Sequence, residues 1–75
     1  MKIELKLFAT LDQYRPQDAD AHPVEPGASA GDVADRLGIP REEIKLCFVN
    51  GVHAPLDVVL ADGDRLGLFP AVGGG

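Results

Sequence analysis

Cysteine is almost missing from this sequence: Cys47 is the single one in 75 residues. One cysteine cannot close an internal disulfide, so the chain is expected to fold by packing alone in a reducing setting. Long apolar runs are missing as well. No stretch approaches the ~20 residues needed to cross a bilayer, and the first twenty residues lack the apolar core of a secretory signal. A soluble, cytoplasmic protein with no membrane partner is the expectation. Positive charge is scarce: seven Lys and Arg stand against twelve Asp and Glu, a formal net charge of -5. A nucleic acid backbone would on average be repelled, which leaves a basic protein surface as the expected partner. No segment repeats and none is low in complexity, so a single domain is expected.

What is present fits a small globular domain. Hydrophobic residues make up 45% and charged residues 25% of the chain, a balance outside the disordered range. A chain of this size buries only about 60–65% of its unfolded surface and has little room for a deep catalytic cleft. "KIELKLF" alternates, with Ile3, Leu5 and Leu7 on one side and Lys2, Glu4, Lys6 and Phe8 on the other, the period of a half-buried strand. "ATLDQYRPQDADAHPVEPGA" holds three prolines and several aspartates, so a loop is expected, followed by a short strand near Ala21–Glu25 that Pro23 confines to a sheet edge. In "SAGDVADRLG", Ser29 is placed to cap a helix with Asp32 as a weaker version of the capping-box acid, Ala30, Val33, Ala34 and Leu37 share one helical face, and Gly38 with Pro40 ends the helix. "PREEI" adds at most one turn. "KLCFVNGVHA" places Asn50-Gly51 between apolar runs, the signal for a tight hairpin. Asp62-Gly63 makes a last turn into a strand carrying Leu66 and Leu68.

One helix is buried only by lying across a sheet. Ile3, Leu5, Leu7, Val33, Leu37, Leu66 and Leu68 would meet there, with the first and last strands side by side in the middle. The expected class is therefore α+β, a β-grasp. It would have a mixed sheet of four to five strands, one main helix packed across it and a flexible Gly-Gly tail. The expected division is a domain over residues 1–69 and a tail over 70–75.

The tail, "LFPAVGGG", carries the functional signal. Glycines order at high entropic cost and fray at a terminus, so Gly73, Gly74 and Gly75 contribute nothing to the fold. Their use, if any, lies in what a free carboxylate can reach. The ending resembles the Phe-Pro-Pro-Val-small-Gly-Gly of the ubiquitin-like sulfur carriers, above all the small subunit of molybdopterin synthase (MoaD) and the thiamine sulfur carrier (ThiS). Phe69, Pro70 and Val72 match, Ala71 replaces the second proline, Gly73 fills the small position, and Gly74-Gly75 is the terminal pair. "KLFATL", "VEPGASAGDV", "FVNG" and "DGDRLGLFP" extend the resemblance over nearly the whole chain, with departures at Ala71 and at a shortened segment around "DQYRPQDAD".

The resemblance implies a protein cosubstrate with no active site of its own. A carboxylate, ionised above a pKa of ~3.5, is a poor electrophile. In this family an E1-like partner adenylates the terminal glycine with ATP. Sulfur from a cysteine desulfurase or rhodanese-type donor then replaces AMP, and the thiocarboxylate is delivered to a second partner such as the large catalytic subunit of molybdopterin synthase. Gly75 would be the reactive residue with Gly74 beside it; no cofactor is bound, and the carrier is monomeric when free. Slim Gly73–Gly75 would thread the partners' channels, with Pro70 stiffening the exit and Val72 alongside. Phe8 and Phe69, on outward faces of two neighbouring strands, would anchor the docked partner; the alternative is that either fills a peripheral gap in the core. Molybdopterin, in a molybdenum or tungsten cofactor, is the favoured product on the Phe69-Pro70-x-Val72 step, with thiamine thiazole or another sulfurated product, a lysine-conjugating protein modifier and a plain binding module as the alternatives.

Other residues invite blander explanations. Cys47, between Leu46 and Phe48, reads as a buried inert thiol with no basic neighbour to lower its pKa. His22, His53, Cys47 and Asp57 match no zinc spacing, so no metal is expected. "EPGASAGD" lacks the Gly-Lys-Ser/Thr ending of a phosphate loop and serves as a helix entry. "DADA" and "REE" read as solvated charges, while Asp62 and Asp64, close to the tail in sequence, would steer a basic partner.

Overall fold

The computed structural model describes residues 1–71. Five strands form one mixed sheet: β1 (Lys2–Leu7), β2 (His22–Pro23), β3 (Ile44–Val49), β4 (Val52–His53) and β5 (Arg65–Pro70), in the order β2-β1-β5-β3-β4. The two terminal strands are indeed neighbours at the centre. β1 and β5 run parallel, with Leu5 opposite Leu66 and Leu7 opposite Leu68, whereas β5 runs antiparallel to β3. Pro23 lies in the edge strand β2, where its missing N–H breaks no ladder.

Alternation in β1 and β5 sends Ile3, Leu5, Leu7, Leu66 and Leu68 to one side, all buried. Across them lies α1 (Ala30–Leu37), with Ala30, Val33 and Ala34 buried. Leu37 packs against this core only half-buried. The capping box is complete: Asp32 N–H donates to Ser29 Oγ at 3.1 Å and Ser29 N–H donates to Asp32 Oδ2 at 3.0 Å. The bond from the Ser29 backbone N–H, with the Ser29 side chain adding to it, holds the Asp32 carboxyl below its ordinary pKa. Gly38 ends the helix at φ 81, a conformation a Cβ would strain. Two first-turn N–H groups, on Ala30 and Gly31, are taken by the carbonyls of Val58 and Leu56. The segment read as a helix entry is thus closed by the chain itself, and these donors are not free for an anion.

The proline-rich stretch after β1 is more ordered than a loop. It forms 3-10 turns over Ala9–Tyr14 and Ala19–Ala21 that bury Leu11 and Ala19 completely. Short 3-10 pieces need only i→i+3 bonds, so Pro16 between them does no harm. A single buried leucine leaves no periodic trace, which is why the sequence pattern does not reveal these turns. Arg41–Glu43 supplies the extra turn after α1. At the β3–β4 hairpin, Asn50 (φ 54) and Gly51 (φ 81) are both left-handed, the geometry that matches strand twist.

Candidate functional site

The outward face of the sheet follows from the same alternation. Leu7, Leu68 and Cys47 form an inward row across β1, β5 and β3, so each next residue turns outward: Phe8, Phe69 and Phe48. Phe8 is still tied to the sheet, its N–H donating to Leu68 O at 3.2 Å. Ala9 then takes φ 52, a left-handed conformation costing about 1–2 kcal/mol for a residue with a Cβ, and leads the chain off the sheet. Phe8 and Phe69 stack with centroids 4.1 Å apart and planes 5° from parallel. Phe48 meets Phe69 edge-on at 5.6 Å, and His53 packs against Phe48 in the same manner at 5.6 Å. Phe8 and Leu46 are each 39% exposed, and Leu46 stands opposite Phe69 beside a register shift in β3. The rings border a shallow depression of ≈ 600 Å³ whose floor includes Gly67.

Phe8 and Phe69 therefore come together as expected, outside the core rather than in a peripheral gap. Phe48, Leu46 and Gly67 join this face without having been expected there. Cys47 is the available signal: once it is placed inward, Phe48 has to face outward, but the pairing of β3 with β5 that brings Phe48 to Phe69 is a tertiary fact.

The root of the tail is held firmly. β5 has a strand on either side, Pro70 pairs with Ile44, and Ala71 N–H donates to Glu43 O at 3.0 Å. Tyr14 OH reaches Glu43 Oε1 at 3.4 Å; desolvation, with the nearby Glu43 charge and this bond adding to it, raises the tyrosine pKa. Val72, Gly73, Gly74 and Gly75 lie outside the described residues.

Asp62 and Asp64 lie at the opposite end of β5 from Pro70. They precede β5, so its six residues, about 17–20 Å of extended chain, separate them from Pro70. Both have turn-building bonds: Asp62 Oδ1 accepts from Lys2 N–H at 2.9 Å, while Asp64 accepts from Asn50 Nδ2 at 2.9 Å and from Ala61 N–H at 2.7 Å. Cys47 is buried at 3% exposure, and burial pushes its thiol pKa up, the reverse of an activated nucleophile. His22 pairs with Asp18 at 2.7 Å on β2, at the opposite edge of the sheet from His53 on β4. Among the described residues no three His, Cys, Asp or Glu side chains gather as a metal site, and no helix is long and apolar enough to cross a membrane.

A parallel central pair made from the two end strands, a short edge strand at each side and one helix across the inner face define the ubiquitin-like β-grasp class. The chain belongs to the Mut7-C ubiquitin family, whose profile matches residues 1–73. Three solved structures are similar over nearly full length. SAMP1 from Haloferax volcanii, a small archaeal modifier protein, is 28% identical, with 100% of both chains covered and a TM-score of 0.69. The HVO 2177 protein of the same organism is 28% identical over 100% of this chain and 87% of its own, with a TM-score of 0.77. A putative molybdopterin converting factor, subunit 1, from Pyrococcus furiosus is 25% identical over 96% of this chain and 99% of its own, with a TM-score of 0.66. The likeness to MoaD-type proteins thus extends from the sequence motifs to the fold. No curated protein matches the sequence.

Proposed function

We propose that this chain is a ubiquitin-like sulfur carrier, a protein cosubstrate in which the sheet, through Pro70 and Ala71, is the scaffold and the residues after Ala71 are the reactive arm. Carboxylate oxygen of Gly75 attacks the α-phosphorus of ATP in an E1-like partner, pyrophosphate leaves, and the resulting acyl adenylate becomes an electrophile. The terminal sulfur of a donor's persulfide then displaces AMP to form an acyl disulfide. A second thiol of the partner attacks the donor's sulfur and ends as part of a protein disulfide. The thiocarboxylate so released donates sulfur to a cofactor precursor bound by a larger catalytic subunit. Molybdopterin is the favoured product, on the Phe69-Pro70 step followed by Val72 and on the Pyrococcus relative. The chain supplies no acid, base or metal to these steps.

One observation carries the proposal: the strand that leads into "VGGG" is central, clamped on both sides, and bonded out to Ala71, while the stacked Phe8 and Phe69 stand beside its exit. A partner gripping the rings is thereby placed at the root of the arm. Gly73 and Gly74 would let the arm enter a channel that side chains would block. The same arm suits conjugation to lysine, a second reading favoured by the similarity to SAMP1.

Intact-mass measurement after incubation with the adenylating enzyme, ATP and a sulfur donor tests both. Replacement of one oxygen by sulfur at Gly75 is the expected result, and deleting Gly74 and Gly75 should abolish it. A ladder of adducts on other proteins would assign the modifier role instead. An unchanged mass in the full chain together with no such ladder would defeat both readings.

A further inference from the structure

The aromatic face differs in charge from the rest of the chain. Of twelve Asp and Glu residues, only Glu4 borders the depression over Gly67, where Lys6 and Arg65 supply two cations. Glu4 is engaged by Lys6 at 3.1 Å. Arg65 has no ion-pair partner among the described residues. A molecule of net charge -5 thus presents one uncompensated positive charge beside its apolar surface.

The floor of the depression is unusual too. Gly67 sits mid-strand in β5, where glycine weakens a strand and often marks the close approach of another group. Its backbone is not in the left-handed region, and a Cβ there would meet Phe8 Cε2 at 3.5 Å and Phe48 Cβ at 4.0 Å, ordinary contact distances. Neither conformation nor crowding requires glycine. What its bare Cα does is keep the space between the rings open.

We propose that this space receives an aliphatic side chain from an acidic segment of a partner protein. The side chain seats on Gly67 against Phe8, Phe48 and Phe69, and a neighbouring carboxylate pairs with Arg65. This rests on the docking role given to the aromatic face above, and it reverses the basic partner suggested by net charge. Surface charges more than a Debye length away, about 8 Å at physiological ionic strength, are largely screened, so a docked partner meets the local charge.

Backbone amide shifts of the isotope-labelled full chain test this against two blocked peptides, one with a leucine pair flanked by aspartates and one flanked by lysines. The expected result is saturable shifts at Gly67, Phe48 and Phe69 with the acidic peptide, weakening as salt is added. Arg65→Glu should weaken that binding about fivefold and favour the lysine peptide, and Gly67→Leu should abolish it while leaving the amide spectrum of a folded protein. Equal binding of the two peptides, shifts on the helix side, or no saturable shift at Gly67 would overturn the proposal. So would the same shifts on concentrating the protein alone, which would assign the face to a second copy. Neither peptide is involved in chemistry at Gly75, so this result and the mass measurement can fail separately.

Discussion

On its inner side the sheet carries Ile3, Leu5, Leu7, Leu66 and Leu68, all aliphatic and all buried; on its outer side the same strands, with β3, carry Phe8, Phe48 and Phe69. The buried core holds no aromatic ring, although Tyr14 packs against it. Fully burying a phenylalanine contributes about 1.5–3 kcal/mol, a sizeable share for a domain of 75 residues. All three phenylalanines instead lie where part of that gain is forgone. Aliphatic side chains on one face and aromatic ones on the other stand one residue apart along single strands, and under the proposed docking role that arrangement would separate stability from recognition.

Adjacent residues of β5 provide the sharpest way to break that separation. Leu68→Ala should lower the unfolding free energy by about 2–5 kcal/mol, read by denaturant or thermal melts. Phe69→Ala should cost less, because Phe69 is only partly buried and loses a fraction of its burial term besides about 0.5–1.5 kcal/mol of aromatic pairing, yet it should remove most binding to the adenylating partner. Equal losses of stability at the two positions would show that the outer face is simply a second core.

Smaller effects sharpen the role of α1, which covers the inner face alone. Ser29→Ala removes one half of the capping box and should destabilise by about 1 kcal/mol without altering binding to Phe8 or Phe69. The smallest effect is on pH dependence. Because the folded Asp32 pKa lies below the unfolded value, the stability that it contributes is complete above the unfolded carboxylate value of about 3.9. It is lost as pH falls through the folded value. Asp32→Asn should flatten that acid limb of a stability-against-pH curve; an unchanged limb would mean that other carboxylates carry it.

Much of this architecture is legible in the order of the residues alone. Lys2–Leu7, the Ser29–Asp32 cap, the Gly38 stop and the Asn50-Gly51 turn each express interactions within a few residues, and each appears where the pattern puts it. Even the central pairing of β1 and β5 follows from their strongly apolar inner sides. Less visible is Leu11, a buried residue in a stretch dominated by Pro and Asp. Asp62 and Asp64 lie a full strand away from Pro70, because closeness in sequence ignores the length of β5.

The sequence by itself determined the elements, their buried sides and the outward direction of Phe8 and Phe69, since alternation, capping and turn chemistry act over short stretches of chain. Only the tertiary structure decided that Phe48 and Gly67 join them and that Arg65 stands beside the rings without an ion-pair partner among the described residues. Those facts depend on the register of β3 against β5, which long-range packing sets and which no local pattern encodes.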